Sequence, residues 1–444
     1  MPTHTLTHDL QAQGVHTLLV QFTDALGVPK GKLVPLAELA QVLSQGAGFA
    51  GPSITGTGLP RCGPRSEFYA RGDLGTLHTL PWWPGVARIV GDGFVAGAPF
   101  DACPRQVLRR QVDRLAERGW SLQLGIEPEF FLLQQRDGAW LPFDAQDRLD
   151  KPSYDLQALP RQAGLLHALR GALEAMGLAV LQIDHEDAHG QYEVNFRHAE
   201  ALASCDHLMG FKLAAQRLAE QHGALFSMMP KPFAHQPGSG LHFHVSLWDS
   251  EAERPLFDGI DAIDAAGSSL GRAFIAGVLA HSAALSALAA PTVNSYKRLV
   301  VGESLSGTSW APAYVTHGPN NRTALVRTLA DRFEWRLPDA SANPYLAAAG
   351  LIAAGLDGID RQLDPGPAVT DDLFALDLTA IRARGIARLP QSLTEATDAL
   401  AGNDVIAAAL GVTLHHELIA LQRDEWLQYA RHVSGWELAR YVAR

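Results

Sequence analysis

A chain of 444 residues, 47% apolar and 19% charged, is globular in composition and too long for one ordinary core. Its 36 basic and 47 acidic side chains leave a net charge of −11, and no run of Lys and Arg is present to track nucleic acid. Three scattered cysteines, Cys62, Cys103 and Cys205, have no metal-binding spacing and suit a reducing cytoplasm, with Cys205 expected in the core.

Residues 1–100 are expected to form a small β-rich domain. The N-terminus is polar and lacks a basic-then-apolar leader pattern. Val15–Thr23 reads as a strand, DALGVPKG as a turn and KLVPL as a second strand. The stretch AGFAGPSITGTGLPRCGPRS, residues 47–66, is rich in Gly, Pro and Ser and is expected to be one long functional loop. Composition changes at Asp101, where PRQVLRRQVDRLAERG has helical spacing; residues 101–444 are taken as the larger domain.

Strands and helices then alternate. LQLGIEPEFFLL, AVLQIDHED, YEVNF, LHFHVSLW and RFEWRLPD read as strands. RQAGLLHALRGALEAMG, the segment ending at Gly223, SSLGRAFIAGVLAHSAALSALA and ANPYLAAAGLIAAGLDGI read as helices. The apolar stretch Leu270–Pro291 is interrupted by Arg272 and His281, so it is a buried helix and no membrane span is expected. The predicted class is α+β, with antiparallel strands flanked by helices behind the small N-terminal β domain.

Side chains two apart on a strand share a face. Glu127 and Glu129 therefore project together, as do His242 and His244, and Arg332, Glu334 and Arg336. Glu186 and Glu193 flank a turn containing Gly190. Any one of these pairs alone would pass for a solvated strand face. Four such strands set in apolar sequence point instead to a shared concave site. Stacked carboxylates repel unless arginine or a cation offsets them, and oxygen ligands with one imidazole suit Mg2+ or Mn2+ better than Zn2+. A second, cationic group contains Arg298, Arg322, Arg327, Arg332 and Arg336, suited to carboxylate or phosphate; Arg327 and Arg332 are the two best explained as surface ion pairs. No Walker-type loop is present, and Gly238–Gly240 is too short to mark a phosphate site.

GIEPEFFLL, DHEDAHGQYEVNF, MMPKPFAHQPGSGLHFHVS, PTVNSYKRLV, NNRTALVR and FEWRLPDASANPYL resemble, in order, the signature blocks of the glutamine synthetase family, over essentially the whole chain. The resemblance implies an N-terminal β-grasp domain and a catalytic domain with a curved antiparallel sheet. It also implies a cytoplasmic homo-oligomer, a dodecamer of two hexameric rings with active sites between subunits. Glu129, Glu186 and Glu193 would hold one metal ion, and Glu127, His242 and Glu334 another, two or three Mg2+ or Mn2+ in all. Arg298 and Arg336 would bind glutamate and the transferred phosphate, and Gly238 would contact substrate through its backbone. His244, Ser246 and Arg332 would lie towards ATP, and Arg322 would stabilise the moving phosphoryl group. The implied reaction makes an acyl phosphate from L-glutamate and ATP, which an amine then attacks.

Two positions depart from ammonia-using members. Trp310 stands directly before Ala311-Pro312, where they carry an acid, and Ala50 replaces the aspartate of F-D-G-S-S-I. An indole offers an apolar wall and a cation–π face in place of a carboxylate. SLSGTSWAP and NNRTALVR look closest to γ-glutamylmethylamide synthetases and related type III glutamine synthetase-like ligases. The expected nucleophile is therefore a small alkylamine. Ammonia remains the alternative, with Glu303 as the replacement acid, and an inactive ring-forming relative is the alternative of another class.

Overall fold

The run Thr17–Thr23 (β1) is apolar at Leu18, Leu19, Val20 and Phe22, and it lies inside the N-terminal sheet with a partner strand on each edge. Most of its residues are buried, as the near-continuous apolar run demands. A computed structural model describes residues 3–262, 267–301 and 310–444. β1 pairs antiparallel with β2 (Pro29–Pro35) and parallel with β5 (Val86–Val95), and β4 (Glu67–Thr79) joins β5 to β3 (Ala47–Ala50). The short β6 (Ala98–Pro99) extends β5. This is the small N-terminal sheet expected.

The stretch 47–66 is not wholly a loop. Ala47–Ala50 pairs with β4, and Gly51–Ser53 forms a single 3₁₀ turn. An edge strand needs only backbone partners, and Gly48 lets the Tyr69 ring lie close, a Cβ there falling 3.2 Å from it.

The second sheet is built on β7 (Trp120–Arg136), a strand of 17 residues with partners along both edges. Its main order is β15 (His317–Pro319), β16 (Val326–Thr328), β17 (Phe333–Trp335), β13 (Leu241–Asp249), β7, β10 (Gln191–Phe196) and β9 (Val180–His185). All these neighbours are antiparallel except β15 and β16, which run parallel. Helices α3 (Pro104–Ala116) and α6 (Ala201–Gln221) pack on this sheet's apolar side, α9 (Pro344–Asp360) packs against these helices, and most buried residues of both sheets join one main core that includes Cys205.

The stretch from Leu270 to Pro291 is two buried helices, α7 (Ser269–Ala280) and α8 (Ser282–Ala289), bent by 74°. The break falls at His281, whose Nε2 lies 2.8 Å from Asp357 and whose Nδ1 lies 2.9 Å from the Asn403 amide. Two tertiary partners for one ring outweigh continuation of the helix. Among the described residues no single helix is long and apolar enough to cross a membrane.

A buried ion cluster joins the N-terminal sheet to the helices of the larger part of the chain. Arg105 on α3, 3% exposed at its side chain, donates to Asp73 on β4 at 2.8 Å, Asp92 on β5 at 2.7 Å and Asp206 on α6 at 2.8 Å. The Tyr345 hydroxyl on α9 also donates to Asp206, at 2.7 Å. Removing the cluster's most buried cation strands these acids, so Arg105→Met should cost about 3 kcal/mol of folding stability, read by urea denaturation. A loss below about 1 kcal/mol, the range of an exposed pair, would show that the cluster is solvated.

Candidate active site

Strand register, not sequence proximity, assembles the acids. Across β9, β10 and β7, Asp184 stands opposite Glu193 and Glu193 opposite Glu129. Two residues back along β7, Glu127 stands opposite His242 on β13. His244 is opposite Glu334 on β17, and Glu334 is opposite Arg327 on β16. Carboxylates directly opposite one another destabilise a sheet. The row therefore calls for compensation.

Part of that compensation is internal. Glu334 accepts hydrogen bonds from Arg336 and, at 2.9 Å, from Arg327, and lies 3.3 Å from His242 Nδ1. Burial alone would raise its pKa, but Arg336, then His242, His244 and Arg327, hold the carboxyl down to about 2. Arg327 is thus not the surface ion-pair former expected: it lies largely buried against Glu334 because the β16–β17 register puts it there. Glu129 accepts the Gly240 N–H at 2.8 Å and the Gln191 amide at 3.0 Å. A Cβ on Gly240 would sit 2.5 Å from His242 and 3.0 Å from both Glu129 and Arg298, so only glycine fits between them.

The other acids lack such support. Among the described residues, Glu193, Glu186 and Asp184 form no ion pair with Lys or Arg, and Asp184 Oδ1 is buried without a hydrogen-bond partner. Burial, then Glu127, raises Asp184 to about 6, and burial, then Glu129, pushes Glu186 up to about 9. Burial, then Glu127, drives Glu193 well above the ordinary range. Burial raises Glu129 to about 6 against the opposing pull of Arg298, and holds His242 far below its usual value, so its imidazole is neutral at physiological pH. Potential ligand atoms converge within 4.8 Å in three groups: Asp184, Glu186 and Glu193; Glu127, Glu193 and His242; Glu127, His244 and Glu334. Unpaired oxygens, raised carboxyls and one neutral imidazole fit a hard divalent cation.

These groups line a cavity of about 480 Å³. The residues expected from sequence as metal ligands, Glu127, Glu129, Glu186, Glu193, His242 and Glu334, all line it, together with His244, Arg298, Arg322, Arg336, Gly238 and Trp310. Arg298 is buried and donates to the Leu337 carbonyl at 3.1 Å and the Arg336 carbonyl at 3.3 Å. Two predicted residues are not in the lining. Ser246 accepts the Trp248 indole N–H at 2.8 Å, and Arg332 lies half-exposed, bonded to Asp331 at 3.2 Å and 3.4 Å from His244 Nδ1. Glu303 lies outside the described residues. No residue from Phe49 to Ile54 lines this cavity.

Several lining residues were not anticipated. Asp184 shares the alternation of Gln182 and Glu186 on one strand face, a signal present in the sequence. Lys231, lowered to about 8 by burial and then by Arg298, adds a cation near neutral pH. Asp187 and Ser153 had no sequence signal. Asp187 accepts the Trp310 indole N–H on one oxygen and the Ser153 hydroxyl on the other. The Trp310 carbonyl in turn accepts from Arg336 at 3.1 Å. An acid, Asp187, thus stands beside position 310 and is engaged by the indole.

A family model for the glutamine synthetase catalytic domain matches residues 101–441. A glutamate–methylamine ligase of Methyloversatilis universalis is 46% identical, over 98% of this chain and 97% of its own. A glutamine synthetase of Rhizobium leguminosarum bv. phaseoli is 36% identical over 97% of this chain and 98% of its own. Among solved structures, a GmaS–ADP complex superposes with a TM-score of 0.91 at 37% identity, covering 99% of both chains, and an apo GmaS with 0.88 at 36%, covering 98% and 99%. On the catalytic-domain match and the length of these alignments, the chain belongs to the glutamine synthetase family.

Proposed function

We propose that this chain joins a small alkylamine, methylamine foremost, to the side-chain carboxylate of L-glutamate at the expense of ATP. The observation that carries the reading is the Trp310 indole at the cavity rim, bonded to Asp187, within the same cavity as the carboxylate rows and Arg322. A 46% identical relative named for glutamate and methylamine supports it.

Glu129, Glu186 and Glu193, with Asp184 beside them, and Glu127, His242 and Glu334 are assigned to two or three Mg2+ or Mn2+ ions. Bound there, the ions supply charge neutralisation for phosphate oxygens. The protein's own groups do the rest. Arg298 and Arg336 bind and orient the carboxylates of glutamate. The side-chain carboxylate oxygen attacks the γ-phosphorus, the bond to the bridging oxygen breaks, and ADP leaves. Arg322, at the cavity wall, stabilises charge on the moving phosphoryl group. The amine nitrogen then attacks the acyl carbon of γ-glutamyl phosphate and phosphate leaves. An alkylammonium ion must first lose a proton to become the nucleophile. Gly238 offers its backbone to glutamate, while His244, Ser246 and Arg332 are kept as the nucleotide side of the site.

A ring-shaped cytoplasmic oligomer, dodecameric as in the family, completes the reading. The C-terminal helix Gly435–Tyr441 supports it, since none of its residues is buried within one chain and Trp436 is 63% exposed.

The test is phosphate release with ATP, Mg2+ or Mn2+ and glutamate across ammonia, methylamine, ethylamine, ethanolamine and a polyamine. Methylamine should exceed ammonia in kcat/KM by about tenfold, the scale of one methyl group in an apolar pocket. A clear preference for ammonia would overturn the alkylamine assignment and leave a glutamine synthetase.

A further inference from the structure

Trp310 is a large side chain, 47% exposed, at the rim of a polar cavity. Packing alone does not hold an indole so open to water, and its ring has one donor, Nε1–H. That donor meets Asp187 Oδ2, while Asp187 Oδ1 takes the Ser153 hydroxyl. The backbone N–H of Asp187 donates to Glu186 at 3.2 Å, tying the same residue to the carboxylate rows. The Trp310 carbonyl is held separately by Arg336. Ring and backbone are thus fixed by different partners, Asp187 just past the end of β9 and Arg336 just past the end of β17.

We propose that Asp187 and Ser153 form a latch that positions the Trp310 indole as the wall of the amine site, and that this latch sets the preference for an alkylamine over ammonia. The inference rests on the amine-ligase reading above. With both oxygens engaged, Asp187 is a poor partner for a small hydrated cation. The face of the latched ring stays available to a methyl group and to positive charge. Opening the latch lets the ring swing from the site. Asp187 is accordingly a positioning residue, acting through Trp310.

The experiment is a double-mutant cycle on the full-length enzyme with Asp187→Ala, Trp310→Phe and the pair, read as the methylamine-to-ammonia ratio of kcat/KM. Each single change should lower the ratio about tenfold, and the pair should lower it no further than the larger single change. Asp187→Asn, whose carbonyl still accepts the indole N–H, should recover most of the ratio, and Ser153→Ala should lose less of it than Asp187→Ala. The KM for methylamine should rise more than the KM for glutamate or ATP in every latch variant. Ratios unchanged in the single variants, effects that multiply in the pair, or all three KM values rising together would each overturn the latch. A wild-type preference for ammonia would sink the alkylamine assignment instead; the same cycle, scored on the KM for ammonia, still decides whether the two residues are coupled.

Discussion

Glu334→Ala should reduce kcat/KM by at least about a thousandfold and also destabilise the fold, a combination expected of few other positions in the cavity. The carboxylate is almost fully buried and is the shared acceptor of Arg336 and Arg327, with His242 3.3 Å away. Deleting it leaves two guanidinium groups with no anion between them. Breaking a buried pair by removing one partner costs about 3–5 kcal/mol, because the remaining charge is uncompensated. Glu334→Gln separates the two effects. Its amide keeps the volume and one acceptor oxygen, so it should recover part of the stability but little of the turnover. Denaturation midpoints and steady-state kinetics on the two variants check this. Activity within about tenfold of wild type in Glu334→Ala would sink the assignment of this residue to the phosphate and metal machinery.

The sheet's period of two makes most of this site legible. Once LQLGIEPEFFLL and LHFHVSLW are strands, Glu127, Glu129, His242 and His244 must share faces, and they do line one cavity. Register is what the sequence alone does not fix, because pairing depends on all strands together. That is why Arg327 reads as a surface ion-pair former in sequence: only the match of Arg327 with Glu334 across β16 and β17 reveals its role. Asp184 is readable from the alternation with Glu186 but lies outside the family's expected ligand set. Asp187 is not readable, since it sits past the end of β9 and meets Trp310 from 123 residues away. The edge strand at Ala47–Ala50 is hidden for a different reason: its pairing uses backbone groups, and Ala, Gly, Phe and Ala in that order carry no strand pattern. The single helix expected over Leu270–Pro291 fails at His281, where tertiary bonds to Asp357 and Asn403 decide the bend.

The unsupported acids lead to the second large effect, on the metal-free protein. Asp184 and Glu129 titrate in the folded state at about 6, Glu186 at about 9, and Glu193 well above the ordinary range. In the unfolded chain such groups titrate at about 4. Between those values the folded state holds more protons than the unfolded state, so stability falls as pH rises through the folded pKa values. The contribution is fully present below the unfolded value. Glu334 acts in the opposite sense: its depressed pKa gives stability that is present above the unfolded value and lost in acid. After treatment with EDTA, the Tm should therefore fall steadily from about pH 5 to about pH 9. Mg2+ or Mn2+ should raise it by several degrees, and by more at the alkaline end, because the ligands must be deprotonated to bind. Glu193→Gln removes one charge from the centre of the row, where Asp184 and Glu129 flank it on neighbouring strands. It should flatten the pH dependence and shrink the metal-induced rise together. The metal-free fold tolerates these carboxyls by keeping protons on them, and the divalent cation assigned to them would replace those protons. A Tm indifferent to both pH and metal, measured by differential scanning fluorimetry, would mean the carboxylate rows are solvated and hold no ion.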